Sequence, residues 1–487
     1  MELDPRVCYR ALTSRDPRFD GRFFTAVLTT GIYCRPICPA PMPRRVNLRY
    51  YRCAAAAEEV GYRPCRRCRP ECSPGTPEWA GPSSIVARAH RLIGEGFLDG
   101  GSIETLAERV GIGPRQLRRL FREHLGASPV AIAQTRRIHF ARKLIDETRL
   151  PMIEVAFEAG FASVRRFNAA LKAAYARTPT ELRRLSSRPN GIGGASALQL
   201  RLPYRPPLDW DSLISFLGPR ATPGVEEVVG GAYRRTISLG ECRGIIEVRP
   251  SKDGNCLLLA IRAEVAQELL QVSERARRLF DLRADPHGIA AHLRRDPLLA
   301  PVVEASPGMR VPGAWDGFEV AVRAILGQQV SVKAATTLAG RLAEAHGEPL
   351  GGRAEPPLSR LFPVPEALAD ADLSAIGLPG ARAKAIRNLA TAVRDGAVAF
   401  DGAEGLEAFH DGIRALPGVG RWTAQYIAMR ALGDPDAFPA DDLGLRKAVS
   451  RSSTPVSRGG LATLAEAWRP WRAYAAMYLW RSCGTRG

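Results

Sequence analysis

Two pairs of cysteines stand close together in the chain, Cys34 with Cys38 in CRPIC and Cys65 with Cys68 in CRRC. Two such pairs offer four thiolates to one tetrahedral Zn2+, an ion that takes sulfur donors without redox chemistry. One zinc per chain is expected. Zinc keeps its sulfurs deprotonated at neutral pH, so a ligand sulfur remains a potential nucleophile. Four thiolates leave the site doubly negative. A sulfur that takes an alkyl group becomes a neutral thioether, and one unit of repulsion toward a nearby DNA phosphate disappears. Alkylation would then strengthen DNA binding without a large movement. The spacing itself indicates only the metal, and a zinc that merely staples a small domain needs the same four residues.

A second constellation lies near the other end. LPGVG at 416–420 has the pattern of a hairpin between two helices. There Leu416, Gly418 and Gly420 would let bare backbone N–H groups approach a DNA phosphate. A helical stretch follows (GRWTAQYIAMRALG, 420–433), then FPADDLGLRKAVS (438–450), which sets Asp441 and Asp442 behind a proline. One fixed carboxylate can stabilise positive charge that builds in a transition state. The alternative is that either acid only caps the next helix.

The chain that must position these groups has 487 residues, about three domains' worth. It is 45% hydrophobic and 24% charged, ordinary values that exclude a collagen-like, disordered or disulfide-stapled protein. No apolar run approaches the ~18 residues of a membrane span. The start, MELDPRVCYRAL, lacks the apolar core of a secretion signal. A cytoplasmic protein without membrane contact is expected. The net charge is +19, and it is uneven: residues 1–190 hold 33 basic and 18 acidic residues, the remainder 36 and 32. Such concentration points to nucleic acid as partner. Only six of the 69 basic residues are Lys; a GC-rich genome explains that preference for Arg but not the excess over acids. Seven of the ten cysteines lie within residues 8–72, while Cys242, Cys256 and Cys483 are scattered. Clustering in a cytosolic chain favours metal over disulfides.

Two Pro/Gly/Ser-rich stretches, 73–84 and 186–196, read as linkers. They separate a Cys-rich module, a basic middle module and a nearly neutral remainder. In the middle, Ile103, Leu106, Ala107 and Val110, then Leu117, Leu120 and Phe121, recur at helical spacing. Ser102 can cap the first helix, Gly111 and Gly113 allow a tight turn, and Pro114 suits the first turn of a second helix. That second helix carries Arg115, Gln116, Arg118, Arg119 and Arg122. This is a helix-turn-helix pattern with a basic second helix fit for a major groove. A second copy at 151–175 turns at Gly160 and presents Ser163, Arg165, Arg166 and Asn168. Residues 197–284 mix strand-like runs (TISL, GIIEV, CLLLAIRA) with a helix near 263–280. From about 314 nearly everything reads as helix, broken at 346–365.

Residues 22–70, with TTGIYCRPIC and GYRPCRRCRP, resemble the Ada-type N-terminal domain, which moves methyl from DNA methylphosphotriesters to a zinc-bound Cys. The resemblance implies Cys34 as acceptor, with Cys38, Cys65 and Cys68 as the other ligands. Cys8, Cys53 and Cys72 match no ligand position. The paired helix-turn-helix units, with GFASVRRFNAALKAAYARTPTELRR, resemble the AraC-type DNA-binding domain. That implies double-stranded promoter DNA and RNA polymerase as partners. Residues 197–487 resemble the 3-methyladenine DNA glycosylase II family, of the helix-hairpin-helix superfamily. FEVAVRAILGQQVSVKAAT (318–336) and WRPWRAYAAMYLWR (468–481) carry much of that likeness.

The glycosylase resemblance implies Asp442 as the catalytic acid and Trp422, Tyr426 and Trp480 as an aromatic base pocket. Such rings favour a cationic alkylated base. It also implies Gln329 as the residue that fills the gap left by a flipped base. Trp422 stands where lyases of the superfamily carry a Lys nucleophile, so a monofunctional enzyme that leaves an abasic site is expected. Arg481 replaces the family's Tyr and is expected to bear on pocket shape. Only Cys483 follows the catalytic region, so no iron–sulfur cluster is expected. A PCHR-like motif is absent, and with it the expectation of O6-alkylguanine repair.

The expected fold is multidomain and mainly α. It comprises a small zinc-bound α/β Ada-type domain (1–74), an all-α AraC-type helix-turn-helix domain (82–186), a mixed α/β domain of the TATA-binding-protein-like kind (197–284) and an all-α helix-hairpin-helix glycosylase domain (285–487). The expected function joins excision of alkylated purines to a methyl-triggered transcriptional response. Two other readings stand beside it: a regulator whose glycosylase-like part is inactive, and a glycosylase whose front half only tethers it to DNA.

Overall fold

The computed structural model describes residues 3–75, 84–186, 198–263, 268–374, 376–450 and 454–484. Most of both linker stretches, and the start of the helix expected near 263–280, lie outside these residues. The described helix there runs Leu269–Leu279.

The first module is a four-stranded sheet of order β3-β1-β2-β4, formed by β1 (Phe24–Val27), β2 (Ile32–Cys34), β3 (Leu48–Tyr51) and β4 (Arg63–Pro64). Alternation divides β1 between two faces. Phe24 and Ala26 meet Ala54 and Ala57 of α2 (Ala54–Glu59), whereas Val27 meets Leu12 of α1 (Pro5–Thr13). These clusters are small, as expected of a domain that leans on a metal for stability.

The basic module follows its sequence signals closely. Ser102 Oγ accepts from Thr105 N at 3.1 Å and caps α3 (Ile103–Arg109). Gly111 takes a left-handed φ of +78° at the turn. Pro114 opens α4 (Pro114–Leu125). The 19-residue α5 (Pro129–Glu147) leads to the second copy, α6 (Met152–Glu158) and α7 (Val164–Tyr175).

Next comes a fully antiparallel five-stranded sheet of order β5-β9-β8-β7-β6. Its strands are β5 (Leu198–Pro203), β6 (Glu226–Val229), β7 (Ala232–Leu239), β8 (Cys242–Pro250) and β9 (Cys256–Ala263), with α8 (Trp210–Leu217) packed beside them. The three strand-like runs fall on β7, β8 and β9; β5 and β6 are the unforeseen edges. Leu200, Leu202, Tyr233, Ile246 and Leu259 share one apolar core with Leu144, Val155 and Phe167 of the basic module. Arg205, fully buried, reaches into the first module and donates to Asp20 O at 2.9 Å and to Arg283 O at 2.8 Å. The modules are therefore packed into one another rather than strung apart.

The remaining helices share a large core. At its centre is α9 (Gly317–Leu326), buried along nearly its whole length. Around it stand α10 (Val332–His346), α11 (Gly380–Arg394), α12 (Leu406–Arg414), α13 (Arg421–Ile427), α14 (Leu443–Ala448) and α15 (Arg472–Gly484). A π-helical turn, Ala428–Leu432, extends α13. Among the described residues no helix is long and apolar enough to cross a membrane.

Candidate active sites

The four cysteines of the two close pairs converge. Cys34 ends β2, and Cys38 follows a turn closed by its N–H on Arg35 O at 3.1 Å. Cys65 N donates to Tyr33 O at 3.0 Å, which aligns the second pair with the first. All four Sγ atoms lie within 4.8 Å of one another, and Cys38 and Cys65 Sγ are 3.9 Å apart. A tetrahedron with Zn–S bonds of ~2.3 Å has edges of ~3.8 Å, so the quartet fits Zn2+. Cys34 is half-buried and the other three are buried. Arg35 N donates to Cys68 Sγ at 3.3 Å.

A cavity of about 670 Å³ opens beside Cys34, walled by Val27, Ile32, Met42 and Leu48. Tyr175, the last residue of α7, also lines it, and Arg66 Nη2 donates to Tyr175 O at 2.6 Å. Cys8 and Cys53 stand apart from the quartet. Burial pushes the Cys8 thiol up to about 11 and the Cys53 thiol up to about 12; Cys53 donates to Leu125 O at 3.3 Å.

The second site is a cleft of about 1270 Å³ in the helical remainder. Asp442 is the N-cap of α14, with Oδ1 accepting from Leu445 N at 3.0 Å. The same carboxylate accepts from Trp422 Nε1 at 2.9 Å and from Trp480 Nε1 at 3.0 Å. The cap and the cleft thus use one side chain. Asp441 instead lies 3.4 Å from Arg458 Nε. Trp422 and Tyr426, four apart on α13, stack with centroids 5.2 Å apart and planes at 10°. Trp480 lies 6.3 Å from Tyr426, tilted by 60°.

Sequence reasoning missed the opposite wall. Phe216 from α8, Arg220 from the turn after it, Arg323 from α9 and Arg430 from the π-turn all line the cleft. Arg430 follows Tyr426 by one helical turn and donates to its hydroxyl at 2.7 Å, a spacing that was available as a signal. Burial opposes ionisation of the Tyr426 phenol, but Arg430, Arg220 and Arg323 outweigh it and hold the phenol below its ordinary range. Arg481 does not line the cleft. It is exposed and tied to Asp209 and to Ser212 Oγ at the start of α8.

The hairpin joins α12 to α13. Gly418 has φ +91°, and a Cβ there would fall 2.5 Å from Ala385 Cβ on α11. Gly420 caps α13 with open space around it. Leu416 packs half-buried against the core. Gln329 is exposed with φ +57°. Its neighbour Gln328 donates to Gly418 O and Thr423 Oγ1, both at 2.9 Å, which fastens this turn to the hairpin. In the basic module Arg115, Gln116, Arg118 and Arg119 on α4, and Arg165, Arg166 and Asn168 on α7, are exposed. Arg118 pairs with Glu104 at 3.1 Å. Ser163 caps α7 through Arg166 N at 3.3 Å, which engages its hydroxyl.

Comparison with known proteins adds four family matches. Residues 7–71 match the metal binding domain of Ada, and residues 106–185 a helix-turn-helix domain. Residues 199–316 match the AlkA N-terminal domain, and residues 322–473 the HhH-GPD superfamily of base excision DNA repair proteins. The chain is 46% identical over 483 residues, 99% of its length and 97% of the relative's, to the probable bifunctional transcriptional activator/DNA repair enzyme AlkA of Mycobacterium tuberculosis. It is 35% identical over 286 residues, 58% of its length, to DNA-3-methyladenine glycosylase 2 of Escherichia coli, 97% of which is covered. Among solved structures, the 3-methyladenine DNA glycosylase of Archaeoglobus fulgidus shares the fold with a TM-score of 0.51 at 23% identity, covering 59% of this chain and 99% of that one.

Proposed function

This chain belongs to the AlkA-type bifunctional transcriptional activators/DNA repair enzymes, and from that premise we propose how its parts divide the work. It is an alkylation-damage repair and response protein that acts on DNA, with a DNA-3-methyladenine glycosylase activity and a self-methylating N-terminal domain. Four units carry it: the zinc domain at 1–74, the double helix-turn-helix at 82–186, the mixed α/β domain at 197–284 and the glycosylase domain at 285–487.

At the glycosylase cleft, Asp442 is the catalytic carboxylate. The observation that carries this is the pair of indole donors, Trp422 and Trp480, that fix it at the edge of an aromatic cleft. A carboxylate held in place stabilises the cationic sugar without reorganising at the moment of bond breaking. Trp422, Tyr426 and Trp480 receive the extruded base, Gln329 enters the vacated stack, and Gly418 and Gly420 present backbone N–H groups to the DNA phosphates. An indole at position 422 offers no amine to attack the sugar, so the product is an abasic site.

At the thiol site, Cys34, Cys38, Cys65 and Cys68 would hold Zn2+, which would keep the four sulfurs as thiolates. Cys34, the most accessible of the four, is the methyl acceptor: its sulfur forms the new S–C bond while the methyl C–O bond breaks and the phosphodiester leaves as an anion. Loss of one negative charge then favours DNA, and Arg115, Gln116, Arg118, Arg119, Arg165, Arg166 and Asn168 take the promoter, with Ser163 setting the start of α7. RNA polymerase in the cytoplasm is the partner at that promoter.

The test is release of 3-methyladenine from methylated duplex by the unmodified protein and by Asp442→Asn. We expect a loss of at least ~100-fold, the scale of removing a preorganised electrostatic group. Release that survives the substitution contradicts the mechanism.

A further inference from the structure

Besides Asp441 and Asp442, the glycosylase cleft is lined by five arginines, Arg220, Arg323, Arg421, Arg430 and Arg458. Asp442 is held by the Trp422 and Trp480 indoles. Beyond those rings stand Phe216 and the Tyr426 hydroxyl, and there guanidiniums gather. Arg220 Cζ lies 3.9 Å from the Phe216 ring centroid, and Arg430 Cζ lies 5.0 Å from it. Among the described residues neither has a carboxylate partner. Arg323 differs: Glu226 at 2.7 Å and Glu319 at 3.0 Å neutralise it. It also donates to the Arg220 carbonyl, which pins the turn that carries Arg220. Arg430 is committed to Tyr426 and to the Pro312 and Gly313 carbonyls. Arg220 bonds its own helix end, Nη1 to Phe216 O at 3.0 Å, and lines the cleft beside the aromatic wall.

We propose that Arg220 is a catalytic residue for departure of the base, and that it sets the range of bases released according to their charge. The proposal rests on the glycosylase reading above. When the C1′–N bond breaks, its electron pair passes to the base. The sugar carbon becomes cationic beside Asp442 and is captured by water, which gives a proton to solvent. The base gains one negative charge whatever its starting state. A cationic methylpurine leaves neutral; a neutral base leaves as an anion and then takes a proton from solvent.

A guanidinium at the base end favours that gain in both cases, because it interacts more strongly with the transition state than with the bound substrate. It also repels a base that arrives as a cation, but not one that arrives neutral. For a neutral base Arg220 therefore raises kcat/KM. For a cationic base it trades weaker binding for a faster step, and the two effects largely offset each other. Cation–π attraction from the rings favours cations; Arg220 extends the cleft to neutral purines with an acceptor-rich edge.

The experiment is single-turnover excision by the zinc-loaded full chain from duplexes that carry one 7-methylguanine (cationic) or one hypoxanthine (neutral). Wild type, Arg220→Gln and Arg220→Lys are compared. We expect Arg220→Gln to lower the hypoxanthine to 7-methylguanine ratio of kcat/KM at least tenfold and to tighten half-saturation for 7-methylguanine. Arg220→Lys, which keeps the charge, should restore most of the ratio. An equal fall on both bases, as from loosened structure, overturns the proposal. So does a wild-type chain that releases 7-methylguanine but no hypoxanthine. A wild-type chain that releases neither overturns the glycosylase reading together with the proposal.

Discussion

The Trp422 indole N–H points at the Asp442 carboxylate and donates to Oδ2 at 2.9 Å, so a ring that lines the aromatic cleft also orients the carboxylate. Trp422→Phe keeps a ring in place and removes this donor. Hydrogen bonds to charged groups are worth ~1.5–3 kcal/mol. The single-turnover rate of 3-methyladenine release should fall about ten- to a hundredfold, with folding unchanged by circular dichroism. A variant as fast as the parent would show that the indole only fills space.

The same position bears on the fate of the sugar. No lysine stands at 422, and α13, with the sequence RWTAQYI, contains none. Borohydride added during turnover should trap no covalent protein–DNA adduct, and the abasic strand should break only after alkali. A trapped adduct would indicate a Schiff base and a lyase.

Zinc is expected to hold the first module together, since the sheet buries only small clusters on each face. Structural zinc contributes ~10–16 kcal/mol of apparent binding energy in small domains. Cys38→Ser should lower the bound metal well below one zinc per chain and add an early thermal transition. Metal analysis with calorimetry reads both, and a fully loaded Cys38→Ser would remove Cys38 from the ligand set.

A buried ion cluster joins β6 and β7 to α9. Burial opposes charge on Glu226, but Arg323 and Arg235 prevail and hold its carboxyl below the ordinary range. A carboxylate lowered on folding contributes stability that is present above its unfolded range and lost as pH falls through its folded value. The urea midpoint of the wild type should therefore drop on acidification below the usual glutamate range by more than that of Glu226→Gln. At neutral pH Glu226→Gln should cost ~3–5 kcal/mol, the scale for breaking a buried pair. Parallel acid profiles for the two proteins would contradict the assignment.

Local signals carried well from sequence to structure. Ser102, Gly111 and Pro114 mark helix ends through caps, a positive φ and a missing N–H, all of which act within a few residues. The four zinc-site cysteines were legible because ligand spacing is itself local. Edge strands β5 and β6 were not foreseen: LQLRLP is short, and β6 begins with two glutamates, one of which is committed to the buried cluster. Phe216 and Arg220 were invisible for a different reason. They reach the cleft from a separate module, far upstream of Trp422, and only tertiary packing brings them there. The same holds for Tyr175, which walls the Cys34 cavity from the end of α7 in the basic module. Arg481 shows the converse, a substitution that suggests an altered pocket yet is tied to Asp209 outside it.

The most direct measurement is to expose the zinc-loaded chain to DNA treated with a methylating agent. One reaction is then assayed for peptide adducts by mass spectrometry and for free bases by chromatography. The account predicts one methyl on Cys34, none on Cys38, Cys65 or Cys68, and release of 3-methyladenine that Asp442→Asn abolishes while the Cys34 adduct persists. A chain with no adduct and no released base, or one whose base release is indifferent to Asp442, would contradict it.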